Sequence, residues 1–69
     1  MKGNVMEFLL RRLNDERHTA ERRALVALKQ WHGGEIDTQA LGTAARALID
    51  AELAYRKAET LEQQSRTQP

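Results

Sequence analysis

The chain has 69 residues and a formal net charge of +1, and its composition is rich in Ala, Leu, Arg and Glu. One domain of this length buries only about 60% of the surface that its unfolded chain exposes. No cysteine is present, which excludes disulfides and thiolate zinc sites, so we expect stability to come from association. The near-neutral charge balance also excludes a strong global attraction to nucleic acid or acidic lipid.

The sequence shows no feature of a membrane protein. No apolar run approaches the roughly 18 residues that a membrane span requires. Glu7, Arg11 and Arg12 interrupt any signal-peptide core after Met1. We therefore expect no membrane partner and a cytoplasmic location.

A first helix is predicted over residues 4–32. Asn4 is a suitable N-cap, and Glu7 follows it at the spacing of a capping box. Gly33 comes directly after the last periodic residue, where we expect a left-handed C-cap. Apolar or small residues then recur at steps of three and four, as on the core-facing side of a helix: Met6, Leu9, Leu10, Leu13, Ala20, Ala24, Ala27, Leu28 and Trp31, with Arg17 among them.

A turn over residues 33–36 and a second helix over residues 37–62 follow. Asp37 is the expected N-cap, and Ile36 and Leu41 have the spacing of a hydrophobic staple. We expect a frayed tail over residues 63–69. The predicted core-facing residues of this helix are Ala40, Leu41, Ala44, Ala45, Leu48, Ala51, Tyr55, Ala58 and Glu62.

The short connection predicts an all-α fold, an antiparallel two-helix hairpin. This pairing brings Leu28 near Leu41 and places Arg17 opposite Glu52. An ion pair between Arg17 and Glu52 would fix the register of the two helices. The alternative is that the Arg17 stem covers the core while its guanidinium reaches water.

Five apolar residues do not fit either core-facing stripe, and a lone hairpin leaves them in water. We interpret them as a second contact surface, through which two copies form a four-helix bundle. Two alternatives stay open: a different protein binds this surface, or the residues are single exposed apolar side chains of the ordinary kind. The predicted partner or dimer contacts are Phe8, Leu25, Val26, Ile49 and Leu53.

The residues give little support for a catalytic site or a metal site. Asp15 and His18 have the spacing found in di-iron bundles, but on the helical wheel they point away from the core. His18 and His32 have no evident nucleophile between them, and the Gly33-Gly34 pair lacks the rest of a phosphate-binding loop. We predict no enzyme activity, no cofactor, no metal and no small-molecule substrate.

Nucleic acid is the alternative partner. Basic residues form two outward rows on the first helix and are able to follow a phosphate backbone of DNA or paired RNA. The competing interpretation is a solvated face with ion pairs within the helix, such as Asp15 to Arg11. The candidate contacts are Arg11, Arg12, Arg22, Arg23 and Lys29.

In its length, its single central turn and its alternating alanine and leucine, the chain resembles the small plasmid copy-number proteins. That resemblance implies a dimer of helical hairpins and paired RNA as a ligand, although it extends to no shared motif. The residues themselves favour a non-enzymatic module that binds another protein through a helix surface, with nucleic-acid binding as the alternative.

Overall fold

Two helices form the described part of the chain. The computed structural model describes residues 3–67, with side chains over residues 5–65. Helix α1 spans Gly3–His32 and helix α2 spans Thr38–Thr67. They fold back on each other into a rod with extents of 55 × 16 × 11 Å. The predicted all-α helical hairpin is confirmed.

The outer ends of the helices differ from the predicted limits. Helix α1 already includes Gly3, so it begins before the predicted cap at Asn4. Helix α2 continues to Thr67, beyond the predicted end near Glu62 and through most of the expected frayed tail over residues 63–69. Glutamine is a good helix former and Pro69 is the first helix breaker of this segment. Residues 68 and 69 lie outside the described residues.

The turn is a Schellman motif closed by the second glycine. The Gly34 amide donates to the carbonyl of Trp31 at 3.0 Å, and the Glu35 amide donates to the carbonyl of Gln30 at 2.7 Å. Gly34 has a φ of 77°. This left-handed conformation is energetically unfavourable for residues that carry a Cβ. The prediction that Gly33 takes this left-handed position is wrong, because the Gly33 amide still donates to the Lys29 carbonyl as within a helix, so the left-handed residue comes one position later.

The start of α2 is as predicted. The Asp37 carboxylate accepts a hydrogen bond from the Ala40 amide at 2.8 Å, so the N-cap is confirmed. Across the turn, the Trp31 indole donates to the Thr38 hydroxyl at 3.2 Å. The end of α1 and the start of α2 are thus joined by a side-chain bond as well as by the backbone.

A heptad pattern runs along the seam between the two helices. Buried and half-buried side chains recur at alternating steps of three and four residues, as in a coiled coil. Among the described side chains, only Ala27 and Ala58 are buried, at 7% and 6% exposure. The seam consists of Met6, Leu10, Leu13, Arg17, Ala20, Ala24 and Ala27 from α1, and Leu41, Ala44, Leu48, Ala51, Tyr55, Ala58 and Glu62 from α2.

Several residues predicted to face the core lie at the margin of the seam instead. Leu9, Leu28 and Trp31 are each more than two fifths exposed. Ala40 and Ala45 of α2 are exposed as well. A seam between only two helices is narrower than the roughly 100° stripe of a helix that packs on a larger core. The hairpin therefore leaves much of its apolar surface uncovered.

Candidate interaction surface

The five apolar residues predicted to lie off the seam are all exposed. Their exposed fractions range from 53% for Val26 to 69% for Phe8. Buried polar side chains are absent from the described residues. The exposure is as predicted, while the role of these residues as contacts stays a prediction.

Leu25 and Ile49 lie on the same side of the hairpin and line one apolar groove. Leucine and alanine side chains make up most of its walls, and Glu21 stands at its rim. The groove is open along its length and has a volume of about 510 Å³. We call it the turn-proximal groove; its lining residues are Glu21, Ala24, Leu25, Leu28, Leu41, Ala45, Leu48 and Ile49.

Leu53 extends this groove away from the turn. Glu21, Leu48 and Ile49 line both the turn-proximal groove and a depression that also contacts Leu53. Glu52 and Arg56 line the same depression, so its far end is polar. Leu25, Ile49 and Leu53 therefore belong to one surface, apolar towards the turn and charged towards the open end.

Phe8 and Val26 do not belong to that surface. They line neither the turn-proximal groove nor its extension at Leu53. At about 100° per residue, positions 8 and 26 point in the same direction on α1, roughly 100° away from Leu25. The five predicted contacts thus divide between two directions. The separation of Leu25 from Phe8 and Val26 follows from the helical wheel of α1, whereas the grouping of Leu25 with Ile49 and Leu53 depends on how α2 is rotated against α1.

Arg17 and Glu52 form the predicted ion pair at the polar end of the groove. Arg17 Nη1 lies 3.5 Å from Glu52 Oε2, so the cross-helix pair is confirmed. The Arg17 Nη2 group also donates to the Asn14 side-chain oxygen at 2.7 Å. The guanidinium carbon lies 4.2 Å from the centre of the Tyr55 ring, within reach of a cation–π interaction.

Glu52 has a second cationic neighbour. Arg56 Nε donates to Glu52 Oε2 at 2.9 Å. This hydrogen bond, with the positive charges of Arg17 and Arg56, lowers the pKa of Glu52 against the opposing effect of desolvation. The carboxylate therefore stays ionised and holds two arginines in place at the middle of the hairpin.

The candidate nucleic-acid contacts on α1 are exposed as predicted. Arg12 pairs with Glu16 at 3.5 Å, so it is partly neutralised. Glu21 lies 3.9 Å from the His18 ring. Among these five candidates, those without a carboxylate at ion-pair distance on a described side chain are Arg11, Arg22, Arg23 and Lys29.

Three further observations concern metal sites, membrane spans and a hollow on α2. Within the described residues, no three His, Asp or Glu side chains come together as a metal site. Over the same residues, neither helix carries a stretch long and apolar enough to cross a bilayer. A shallow hollow on the outer side of α2, lined by Gln39, Gly42, Thr43 and Arg46, is open to solvent.

No family model, no curated protein sequence and no solved structure matches this chain.

Proposed function

We propose that this chain is a non-enzymatic helical interaction module that binds another protein chain through the turn-proximal groove. The observation that carries the proposal is the continuous apolar surface made by Leu25, Ile49 and Leu53 with the walls of the groove. Contiguous exposed apolar patches rimmed by polar residues often mark interaction sites.

The total surface of the chain supports the same conclusion. The hairpin exposes 5886 Å². A folded monomer of 7.9 kDa exposes about 4,400 Å² according to the scaling of surface with mass. The hairpin thus exposes about 1,500 Å² more than a compact protein of its mass. A partner that covers the groove would remove part of this excess.

Quantitative affinity capture from the native host tests the proposal. Tagged wild-type chain is compared with Leu53→Asp and with Leu61→Asp as baits. Leu53 and Leu61 are the same residue type on the same helix, exposed by 59% and 50%, but only Leu53 adjoins the groove. We expect at least one protein, copies of the chain itself included, to be retained by wild type and Leu61→Asp and lost with Leu53→Asp.

Salt separates this binding from electrostatic association. Capture through an apolar surface should persist between 50 and 200 mM salt, roughly the interval over which phosphate-directed binding falls 10³-fold or more. If no captured protein distinguishes Leu53→Asp from Leu61→Asp, the proposed function is wrong.

A second candidate function rests on the exposed cations of α1. Arg11, Arg22 and Lys29 point in nearly the same direction, because at about 100° per residue their positions on α1 differ by no more than roughly 20°. We propose paired RNA or the DNA backbone as the alternative ligand. Gel-shift binding that weakens steeply with salt and is lost in Arg22→Glu/Arg23→Glu would support it; equal retention by wild type and this variant excludes it.

A further inference from the structure

We propose that the occupant of the turn-proximal groove is a second copy of this chain, packed so that both turns lie at the same end of the dimer. This inference rests on the proposed function and adds to it the identity and the orientation of the partner. Its basis is the area that the hairpin leaves uncovered and the place of the groove along the hairpin.

The uncovered area is larger than a standard dimer interface needs. A compact assembly of twice the chain mass exposes about 7,300 Å², or about 3,700 Å² per chain. The hairpin exposes 5886 Å². The difference, about 2,200 Å² per chain, exceeds the roughly 800 Å² per partner of a standard interface. Each hairpin therefore exposes enough surface for a second copy to form a standard interface with it.

The groove lies entirely in one half of the hairpin. Arg17 and Glu52 are each the fifteenth residue of their 30-residue helices, so the ion pair marks the midpoint of the rod. The turn-proximal groove, residues 21–28 and 41–49, lies between this midpoint and the turn. Beyond the pair, Arg56 and Asn14 carry polar side chains. The surface is therefore asymmetric along its length.

This asymmetry selects one orientation of the two copies. A twofold axis along the rod places α1 of one chain on α2 of the other at the same level, so apolar surface meets apolar surface. The same axis brings Arg17 beside Glu52 of the partner subunit. Positive and negative side chains then alternate around the middle of the bundle. With the turns at opposite ends, the groove would instead cover Arg17, Glu52 and Arg56, and burying charged groups against an apolar surface is costly.

Sedimentation equilibrium tests the identity of the occupant. We expect the wild-type chain at micromolar concentration to have about twice the mass of one chain. Ile49→Asp should weaken association by at least about 30-fold, since it places a charge in the interface centre. Val26→Asp is the matched control, because Val26 is also β-branched and is 53% exposed against 57% for Ile49, yet lies outside the groove. Circular dichroism checks that both variants remain helical.

Electron-spin distance measurements test the orientation. The chain has no cysteine, so Glu35→Cys places a single spin label at the turn. Turns at the same end give an interchain distance of roughly 15–30 Å, from helices packed 8–10 Å apart plus two label arms. Turns at opposite ends are separated by about 45 Å, the length of a 30-residue helix. Dilution with unlabelled chain should abolish the signal, because it arises between chains.

Each other outcome overturns a different statement. A distance near 45 Å overturns the same-end orientation. A folded monomer at every concentration, or a dimer equally sensitive to Ile49→Asp and Val26→Asp, overturns the second copy as occupant. In either of the last two cases the capture experiment with Leu53→Asp still decides the proposed function, so the two failures are distinguishable.

Discussion

The half of the hairpin next to the turn and the half beyond Arg17 and Glu52 share one heptad pattern but fill it differently. Near the turn, α1 contributes only the small residues Ala20, Ala24 and Ala27 to the seam. Two of its larger apolar side chains, Leu25 and Leu28, lie on one flank and line the groove. Towards the open end, the α1 seam itself holds large apolar residues, namely Leu13, Leu10 and Met6.

This difference shows where each half obtains its stability. In the open half, large side chains meet inside the hairpin, where they are half-buried. In the turn half, alanine at the seam contributes little apolar area, and most of the area sits on the outside. The turn half therefore relies on close helix contact within the hairpin and leaves its larger side chains for the proposed partner to cover, whereas the open half packs large side chains in its own seam.

The largest expected effect comes from a charge in the tightest part of the turn half. Ala27→Asp places an unpaired carboxylate at a position that is 7% exposed, so we expect a loss of about 3 kcal/mol or more in the free energy of unfolding. Ala47→Asp makes the same change at an exposed position of α2, where a shift within about 1 kcal/mol is expected. Urea unfolding followed by circular dichroism measures both; equal losses would contradict the close contact at Ala27.

A smaller effect is expected at the turn itself. Gly34→Ala forces a residue with a Cβ into the left-handed region, which costs about 1–2 kcal/mol of stability. Gly33→Ala is the control. A Cβ at Gly33 meets its nearest atom, the Lys29 carbonyl oxygen, at 3.5 Å, an ordinary contact. Gly33→Ala should therefore leave the free energy of unfolding unchanged or increase it. Thermal unfolding compares the stability of the two variants. A greater loss of stability in Gly33→Ala than in Gly34→Ala would show that Gly34 is not the left-handed residue of the cap.

The smallest effect concerns the midpoint between the two halves. The pKa of Glu52 is lowered by its hydrogen bond from Arg56 and by the charge of Arg17. A lowered folded-state pKa stabilises the fold above the unfolded pKa, and this stabilisation is lost as the pH falls through the folded value. We expect Glu52→Gln to be less stable than wild type at neutral pH, with a difference that shrinks below about pH 4.

A control isolates the pair from the general effect of removing a carboxylate. Glu59→Gln changes an exposed residue of the same helix and should show a smaller dependence on pH. Unfolding of both variants at neutral and acidic pH gives the comparison. A Glu52→Gln difference that persists unchanged in acid would mean that the ion pair does not stabilise the hairpin.

Most of the fold could be predicted from particular residues. The diglycine and the Asp37 cap located the turn, and the three- and four-residue steps gave the seam. Arg17 opposite Glu52 followed from counting outward from the turn, and the structure confirms the pair at 3.5 Å. These features are set by local chemistry and by helix geometry, which the sequence states directly.

The remaining features depend on information that a sequence pattern lacks. Either glycine was able to take the left-handed position, and the Gly33 amide still bonds to the Lys29 carbonyl at 3.0 Å, as within a helix. The separation of Leu25 from Val26 follows from the geometry of α1 alone, but the grouping of Leu25 with Ile49 depends on the rotation of one helix against the other. The individual residues of the candidate surface could thus be predicted, but not which residues of the two helices lie together on it.

The Schellman bonds at Gly34 and Glu35 also determine the topology of the chain. If residues 33–36 were helical, α1 and α2 would join into one rod of about 100 Å. Two such rods, side by side and antiparallel, would form the same heptad seams, with Arg17 of one opposite Glu52 of the other. The seam is therefore equally satisfied by a folded-back chain and by exchanged helices. Two backbone hydrogen bonds and one positive φ decide between a self-contained hairpin and a domain swap.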